Sequence, residues 1–360
     1  MKKIRWGIAG PGKIANKFAV ALKNLDCGEL AAVASTSQER AAAFAEKYDI
    51  PHVFCGYEAM AASQEVDAVY VATPHSHHMQ VAQLFLNAGK HVLCEKPICV
   101  NARQARLLKE CAAKNGVFLM EAMWTRFLPA IREAQAIIAR GEIGEIRGIH
   151  ADFCYAMEPG ANRAYLNELA GGALLDVGVY GLHFAATFLG SHPETILALA
   201  HTNGQVDIHT NVLMKYEGGA IANITSAIGV KKPDGAWIYG SRGRIFIPGF
   251  YGATELFVTV GQEETHIVKK PLGAGFEEEI QEACRCIAAG KPESDILPLD
   301  ETIAVMEQMD AVRKQIGIVY PFAAEEYHVQ LRNPPAHRAG EPLCQGQCGG
   351  KPPVLQKSWL

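Results

Sequence analysis

The first part of the chain alternates short, apolar, strand-like runs with longer helical stretches. Strands are predicted at Ile4–Ala9, Leu30–Ala34, Ala68–Ala72, His91–Cys94 and Val117–Glu121, and helices at Lys13–Leu25, Gln38–Tyr48, His77–Ala88 and Ala102–Asn115. Short strands that alternate with longer helices indicate βαβ units. Because such crossovers are right-handed, they build a doubly wound parallel sheet with helices on both faces. This α/β domain is predicted to span residues 1–122.

Beyond residue 122 the pattern changes to consecutive strand-like segments separated by turn signals. Strands are predicted at Ile146–Phe153, Leu197–His201, Asp207–Tyr216, Ala220–Ala227, Ala236–Tyr239, Gly243–Ile247, Glu255–Val260 and Glu264–Val268, and helices at Tyr165–Leu169, Leu175–Leu189, Phe276–Ala289 and Leu299–Ile316. Strands joined by tight turns pair antiparallel. Residues 123–325 are therefore predicted to form an α+β domain with an open, largely antiparallel sheet. Residues 326–360 are rich in Pro, Gly and Gln, and they are predicted to be a mobile tail.

The bulk composition is typical of a globular protein with a large buried interior. Of the 360 residues, 49% are hydrophobic and 20% are charged, with a formal net charge of −4. No basic run with interleaved aromatic residues is present, which argues against a nucleic-acid partner. No continuous apolar run approaches the roughly 18 residues that span a membrane, and no signal-peptide pattern is present at the N-terminus. The scattered cysteines are then expected to be reduced thiols in a cytoplasm.

The turn Gly10-Pro11-Gly12-Lys13-Ile14-Ala15 directly follows the first predicted strand and opens the first predicted helix. Glycines allow a sharp turn and a close approach of the backbone to a pyrophosphate, and the helix N-terminus offers free N–H groups. A glycine motif alone is a weak signal, but this one lies in the first βαβ unit, where dinucleotides bind. The predicted contacts to the pyrophosphate are Gly10, Gly12, Lys13 and Ile14.

The end of the second strand distinguishes NAD from NADP. An acidic residue there bonds the ribose 2′-hydroxyl and repels a 2′-phosphate. The chain has Ser35, Thr36 and Ser37 at this point, with no acid before Glu39, and Arg40 follows. Hydroxyls and an arginine suit a phosphate, so NADP is favoured over NAD. The alternative is that these residues only form a turn and cap the next helix, since Ser and Thr are good N-caps.

Two segments carry residues suited to hydride-transfer chemistry. Glu95-Lys96-Pro97 closes a predicted strand whose carboxyl end faces the ligand crevice. Asp176 and Tyr180 are four residues apart on a predicted helix and share a face. Tyr180 is predicted to be the general acid/base. Because the ordinary tyrosine pKa of about 10 is too high for this at neutral pH, a nearby Lys96 ammonium is expected to lower it. The alternatives are a surface turn at Lys96 and a packed core tyrosine at Tyr180.

Several residues near the junction of the two domains are candidate substrate contacts. Trp124 and Arg126 either line the substrate pocket or join the domains to each other. Phe153 and Tyr155, at the end of a predicted strand, carry the same ambiguity. Arg163 is a further polar candidate.

Two clusters superficially resemble metal sites. His75, His77 and His78 lie at the end of a predicted strand, where imidazoles more often serve as cap and wall residues. Cys344 and Cys348 lie in the tail without a second ligand pair nearby. No metal is therefore predicted.

The glycine turn, Thr73-Pro74-x-x-x-His78, Glu95-Lys96-Pro97 and the glycine-rich helix with Asp176 occur together in this order. The constellation resembles the glucose–fructose oxidoreductase and inositol dehydrogenase (Gfo/Idh/MocA) family over roughly residues 1–323. Tyr180, where many members carry histidine, is similar to the branch of dimeric dihydrodiol dehydrogenases and NADP-dependent D-xylose 1-dehydrogenases. The resemblance implies a Rossmann domain and a second domain whose open sheet commonly forms the oligomer interface.

The resemblance also implies roles for individual residues. Lys96 and Tyr180 are the implied catalytic pair, and Asp176 is their orienting partner. The second strand ends in Ser35-Thr36 rather than in the arginine often found there. Further implied cofactor contacts are Thr73, Pro74, His75, His78, Glu95 and Lys96 itself.

We therefore expect an NADP-dependent oxidoreductase that transfers hydride between the nicotinamide and a secondary or hemiacetal hydroxyl of a sugar or vicinal diol. Tyr180 is expected to take the hydroxyl proton with the help of Lys96, in a homodimer or higher homo-oligomer. One alternative is a catalytically inactive NAD(P)-binding sensor. The other is a sugar–sugar oxidoreductase that keeps its cofactor bound.

Overall fold

The computed structural model describes residues 3–158 and 163–322. In these residues a first sheet of six parallel strands has the order β3-β2-β1-β4-β5-β6. Its strands are β1 (Ile4–Ala9), β2 (Gly28–Ser35), β3 (His52–Cys55), β4 (Ala68–Val71), β5 (His91–Glu95) and β6 (Leu119–Ala122). The strand order runs outward in opposite directions from β1 and from β4, so the topological switch point lies between these two strands. Ligands bind at this point in doubly wound sheets. The predicted Rossmann fold is confirmed.

The helices that cover the first sheet follow the predicted pattern, with one additional helix. They are α1 (Lys13–Lys23), α2 (Gln38–Tyr48), α3 (Tyr57–Ala62), α4 (His78–Asn87) and α5 (Ala102–Asn115). Neither β3 nor α3 was predicted from the sequence. The edge strand β3 is only four residues long, and its apolar run, residues 53–55, is too short to be distinguished from a turn or a buried helix segment. With six residues, α3 is too short to show a helical period.

Within the described ranges, a second sheet of eight strands has the order β14-β13-β12-β11-β7-β10-β9-β8. Its strands are β7 (Ile146–Cys154), β8 (Thr195–Thr202), β9 (Asp207–Lys215), β10 (Ile221–Ala227), β11 (Gly235–Gly240), β12 (Gly243–Pro248), β13 (Glu255–Val260) and β14 (Glu263–Val268). All neighbouring pairs are antiparallel except β7 and β10, which are parallel. The prediction of an open, largely antiparallel sheet is confirmed.

Four further helices accompany the second sheet among the described residues. They are α6 (Pro129–Ala139), α7 (Val179–Leu189), α8 (Glu277–Ala288) and α9 (Leu299–Ile316). The sequence did not predict α6. The predicted helix Leu175–Leu189 is divided: a π-helical turn, Leu174–Gly178, leads into α7.

The segment Asn167–Leu189 is more apolar than expected. It is long and apolar enough to cross a membrane, but 83% of its most apolar window is buried inside the protein. It contains α7 and therefore serves as a core segment.

The hydrophobic core is continuous from the first sheet to the second. Fully buried side chains in the same cluster include Trp6 and Tyr70 of the first sheet and Ile238 and Ile245 of the second. The boundary at residues 122/123 remains a prediction, and the predicted tail with Cys344 and Cys348 lies outside the described residues.

Candidate active site

The glycine turn between β1 and α1 has the geometry of a phosphate cradle. Gly10 has a φ of +93°, and a Cβ on it would lie 3.0 Å from the carbonyl oxygen of Ala72. Gly12 is the N-cap of α1, and no side chain caps the helix there. The first turn of α1 carries no acidic residue and begins with Lys13. Backbone N–H groups and positive charge are therefore available to a pyrophosphate.

Thr73 provides an independent sign of a polar ligand at this turn. Its Oγ1 is buried and has no hydrogen-bond partner in the part of the chain that the structure describes, and its methyl group lies 3.2 Å from where a Gly10 Cβ would be. Orphaned buried hydroxyls are rare in native structures because each costs free energy. The turn and Thr73 together fit a bound dinucleotide.

The loop after β2 combines both roles considered for it. Ser37 caps α2, because its hydroxyl accepts a hydrogen bond from the Arg40 N–H at 3.2 Å. Ser35 is buried, and its Oγ accepts from the Ser37 N–H at 3.2 Å. Thr36 and the Arg40 guanidinium are exposed and hydrogen-bonded to each other at 3.1 Å. Of these four residues, Thr36 and Arg40 are thus the ones whose polar groups face solvent.

His78 and Glu95 have structural partners within the protein. The two ring nitrogens of His78 lie 2.8 Å from the carbonyl oxygens of Thr73 and Pro97. Burial lowers its pKa to about 4, so at neutral pH one of the two ring nitrogens donates a hydrogen bond to its carbonyl oxygen and the other carries no proton. Glu95 accepts hydrogen bonds from the Tyr70 hydroxyl and, at 3.1 Å, from the Lys96 N–H. The structure gives both residues roles in shaping the strand ends.

The predicted chemistry residues meet at the end of β5. Lys96 Nζ donates a hydrogen bond to the carbonyl oxygen of Asp176 at 2.6 Å and lies 3.7 Å from its Oδ1. The same ammonium lies 4.8 Å from the ring centroid of Tyr180. All three residues are largely buried, and the π-helical turn sets the spacing of Asp176 and Tyr180.

Charged neighbours determine the protonation state of this group. Burial would raise the pKa of Asp176, but Lys96, Arg163 and His75 outweigh it and hold that pKa well below its ordinary value. Burial lowers the pKa of Lys96, and Asp176 opposes this effect. Burial, followed by the charge of Glu95, raises the pKa of Tyr180 well above 10. The sequence led us to expect a lowered pKa for Tyr180, whereas the net direction in the structure is upward, with the Lys96 ammonium 4.8 Å from the centre of the ring.

Asp176 is the centre of a wider hydrogen-bonded group. Its Oδ1 accepts from the Arg163 guanidinium at 2.9 Å, and its Oδ2 accepts from the Tyr155 hydroxyl at 3.1 Å. Arg163 also lies 3.3 Å from Nε2 of His75, whose Nδ1 contacts the carbonyl oxygen of Ala170 at 3.0 Å. His75 thus lies with Asp176 and Arg163, on the chemistry side.

An aromatic wall surrounds the Tyr180 hydroxyl. Trp124 Nε1–H donates to this hydroxyl at 3.3 Å and stacks on Phe276 at 4.8 Å. Phe153 packs edge-on against Tyr180 at 5.3 Å and stacks on Tyr251 at 3.9 Å. Two of the predicted substrate contacts, Trp124 and Phe153, are therefore at the site.

Arg126 lies in a different environment. It is 6% exposed, forms an ion pair with Glu301, and donates to the carbonyl oxygen of Ile296 at 3.0 Å. These contacts join the segment after β6 to α9. The structure therefore favours the interpretation that Arg126 holds elements together over a substrate contact.

Comparison with known proteins agrees with this geometry. Residues 4–123 match the family described as "Oxidoreductase family, NAD-binding Rossmann fold", and residues 131–246 match the "GFO/IDH/MocA C-terminal domain". The chain is 36% identical over 328 residues to the trans-1,2-dihydrobenzene-1,2-diol dehydrogenase of Danio rerio, which covers 88% of this chain and 98% of that relative. The chain belongs to the Gfo/Idh/MocA oxidoreductase family. The predicted family is confirmed.

Two solved structures show how widely the Gfo/Idh/MocA architecture is shared. A 3-ketoreductase from Actinomadura kijaniata, in complex with NADP and TDP-benzene, matches with a TM-score of 0.81 and 29% identity, over 88% of this chain and 98% of that one. An aldose–aldose oxidoreductase from Caulobacter crescentus, complexed with glycerol, matches with a TM-score of 0.81 and 24% identity, over 87% and 97% of the two chains. Because the second match is only 24% identical in sequence, it shows a shared fold and nothing more.

Sequence reasoning left several residues of this family member's site unassigned. Tyr155 was noted only beside Phe153, and neither Tyr251 nor Phe276 was singled out. Tyr251 follows β12 in a short helical turn, and Phe276 is the N-cap of α8. They approach Trp124 and Phe153 only through the tertiary fold, so no local pattern marks them.

Proposed function

We propose that this protein is an NADP-dependent dehydrogenase that transfers hydride between the nicotinamide and a secondary or hemiacetal hydroxyl of a sugar or vicinal diol. The observation that carries the proposal is the contact of Lys96 with both Asp176 and Tyr180 at the end of β5. This is the edge of the sheet that also carries the glycine turn, and bound NADP would supply the hydride acceptor there.

Tyr180 is the proposed proton carrier. Its raised pKa keeps the hydroxyl protonated at neutral pH. Trp124 donates a hydrogen bond to the hydroxyl oxygen, which leaves the Tyr180 O–H free to point to a substrate oxygen. In carbonyl reduction Tyr180 gives this proton to the substrate oxygen and becomes a phenolate, which regains a proton from solvent. Alcohol oxidation is the reverse: Tyr180 first loses its proton to solvent, and the phenolate oxygen then takes the hydroxyl proton of the substrate.

Lys96 and Asp176 are proposed to hold the substrate oxygen in place. One Lys96 N–H donates to the carbonyl oxygen of Asp176, so two further N–H donors remain for substrate. The Asp176 carboxylate stabilises the ammonium form of Lys96 and is itself held by Arg163 and Tyr155. A fixed ammonium charge stabilises oxyanion character as the carbonyl is reduced.

The surroundings of Tyr180 support a sugar or diol substrate. The Lys96 ammonium and the exposed part of the Arg163 guanidinium offer hydrogen bonds to hydroxyl groups, while Trp124 and Phe153 offer flat apolar faces. Sugars and cyclic diols present both hydroxyls and an apolar ring face. Relatives named as diol dehydrogenases and as a ketoreductase support the same substrate class.

Two observations support NADP as the cofactor. Thr36 and Arg40 are exposed beside the end of β2, and the described part of this loop contains no acid before Glu39. The ketoreductase relative is a complex with NADP. None of the described cysteines forms a disulfide, which supports a reducing compartment, the cytoplasm.

The test is the formation of NADPH with a panel of aldoses and cyclic vicinal diols, with NAD run in parallel. We expect turnover with NADP and at least one member of the panel. Tight NADP binding without turnover of any member would contradict the proposal and favour a sensor. Nicotinamide absorbance that survives gel filtration, together with transfer between two sugars, would favour the sugar–sugar oxidoreductase.

The exposed face of the second sheet is the proposed homodimer interface. Register-paired residues form one row across its eight strands, from Leu197 and Leu213 at one edge to Trp237, Phe246 and Phe257 near the other. Leu197 is 60% and neighbouring Leu199 81% exposed. The polar residues Asn223 and His150 lie in the middle of this row, between the leucines and the partly exposed aromatic residues. Exposed apolar side chains gathered on one sheet face mark association sites. Sedimentation velocity should show a dimer that Leu199→Glu dissociates. A monomeric wild-type protein would contradict the assignment.

A further inference from the structure

A buried carboxylate lies directly behind the Lys96 and Tyr180 pair. Glu121, in β6, is 1% exposed. Its Oε1 accepts a hydrogen bond from the backbone N–H of Ile98 at 3.0 Å. Its Oε2 lies 3.0 Å from Nε2 of His183 and accepts from the Thr302 hydroxyl at 3.1 Å. One side chain thus joins three separate segments of the chain.

Two of these segments carry the proposed chemistry. Ile98 lies two residues after Lys96, in the loop that follows β5. His183 lies on α7, one helical turn after Tyr180 and on the same side of the helix. The third segment, the first turn of α9 at Thr302, supports the carboxylate from behind. Glu121 therefore connects the loop of the lysine to the helix of the tyrosine.

The contact with Glu121 determines which ring nitrogen of His183 donates a hydrogen bond. Because Glu121 is an acceptor, Nε2 of His183 donates to it. The other ring nitrogen, Nδ1, is buried without a partner among the described residues. Burial would raise the pKa of Glu121, but His183, Ile98 and Thr302 outweigh it and lower that pKa. An ionised carboxylate with three donors is a stiff connection, because the loss of any one donor leaves charge unsatisfied.

We propose that Glu121 and His183 are positioning residues that set the distance between the Lys96 ammonium and the Tyr180 hydroxyl. The inference rests on the proposed function of that pair. Neither residue needs to touch substrate. Their effect passes through Ile98 to the lysine loop and through α7 to the tyrosine, so it should change turnover while leaving cofactor binding intact. Displacement of a reacting group by about 1 Å can cost roughly a hundredfold in rate.

The test compares two substitutions of His183 in the full-length protein. His183→Leu removes the donor to Glu121, and His183→Gln keeps an amide N–H near the Nε2 position. We expect kcat to fall roughly ten- to a hundredfold in His183→Leu and to recover most of the loss in His183→Gln. The Kd for NADP, measured by fluorescence titration, should stay within about threefold of wild type. Equal kcat values for wild type and His183→Leu would overturn the proposal.

A control separates positioning from general loss of stability. Gln308 is buried on α9 and donates to the carbonyl oxygen of Ser191 at 2.7 Å, away from Lys96 and Tyr180. Gln308→Leu should lower the Tm but leave kcat unchanged. An equal fall in kcat for both variants would show a stability effect and overturn the proposal.

If His183→Leu does not fold, Thr302→Val replaces it, since it removes one donor to Glu121 with little change in shape. An unchanged kcat in Thr302→Val would then count against the proposal.

A double-mutant cycle distinguishes this proposal from the proposed function itself. If His183 acts through Tyr180, the double variant Tyr180→Phe/His183→Leu should be no slower than Tyr180→Phe alone. Losses that multiply, while Tyr180→Phe is impaired, would overturn the positioning role and leave the proposed function standing. Full activity of Tyr180→Phe would overturn the proposed function instead.

Discussion

The cofactor end and the chemistry end of the site differ in how their polar groups are satisfied. At the cofactor end, as far as the chain is described, α1 begins without a side-chain cap, Thr73 Oγ1 has no partner, and Arg40 is exposed. At the chemistry end, Asp176 has two cationic neighbours, Lys96 and Arg163, and a tyrosine donor, and Lys96 is already hydrogen-bonded. The first region offers groups to a ligand that will satisfy them. The second is organised before any ligand arrives.

This difference indicates a division of labour. Unpaired donors at a helix N-terminus gain most from binding an anion, so the cofactor end should govern affinity. Paired and buried groups need little rearrangement during reaction, so the chemistry end should govern rate. Substitutions in the two regions should therefore separate into effects on cofactor binding and effects on kcat.

The largest effect is expected from Tyr180→Phe. Removal of the hydroxyl should lower kcat by about a thousandfold, because the proton has no other carrier, while the Kd for NADP stays unchanged. Steady-state kinetics and fluorescence titration measure the two quantities. Tyr251→Phe is the matched control, since it keeps the ring that stacks on Phe153. Comparable activity of the two variants would remove Tyr180 from its role.

A smaller effect on the opposite quantity is expected from Arg40→Ala. The kcat/KM for NADP should fall roughly tenfold, while that for NAD changes little, because a charged contact to a 2′-phosphate is lost. The exposed Arg103, on α5, provides a control for general loss of positive charge. A parallel fall for both cofactors would mean that Arg40 does not read the phosphate.

Glu279, near the chemistry end, differs from Asp176 in the hydrogen bonding of its carboxyl group, and its replacement should have the smallest effect. Both of its carboxyl oxygens are buried without partners among the described residues, and burial raises its pKa well above 4.5. The folded protein thus keeps a proton that the unfolded chain releases. The stability cost therefore grows as the pH rises above 4.5 towards the folded-state pKa. Glu279→Gln should therefore raise the Tm near pH 8 and have much less effect near pH 5.

Glu282, on the same helix, is the matched control with the opposite sign. It accepts hydrogen bonds from Arg285 and Ser294, which lower its pKa to about 2 against the opposing effect of burial. Its stabilising effect is present above the ordinary glutamate pKa and is lost as the pH falls towards 2. Glu282→Gln should therefore lower the Tm at neutral pH. Thermal unfolding across pH measures both variants, and the same sign for both would contradict the assignment for Glu279.

The fold was largely predictable where elements carry their own local signals. Gln38–Tyr48 and Ala102–Asn115 were predicted with the bounds that the structure gives, and side-chain caps at Ser37 and Asn101 explain why these helices start where they do. The edge strand β3 and the helix α6 were missed. The π-helical turn before α7 could not be predicted, because it arises from packing around Asp176 and not from residue periodicity.

The candidate site was predictable in part for the same reason. The glycine turn is local, so its residues were found from a motif of a few positions. The partners of Asp176 come from three distant segments, at His75, Tyr155 and Arg163, and only the tertiary fold brings them together. Arg126 is the opposite case. Its sequence position and charge suggested a substrate contact, but in the fold its guanidinium forms an ion pair with Glu301.

The central claim is that hydride passes directly between a substrate carbinol carbon and the nicotinamide beside Tyr180. The most direct measurement uses an aldose or cyclic diol that is deuterated at the carbon to be oxidised, incubated with the protein and NADP. Mass spectrometry of the nicotinamide product should find the deuterium in NADPH, and Tyr180→Phe should slow its appearance by about a thousandfold. Reduced cofactor without deuterium, or no reduced cofactor from any sugar or diol although NADP binds, would contradict the account.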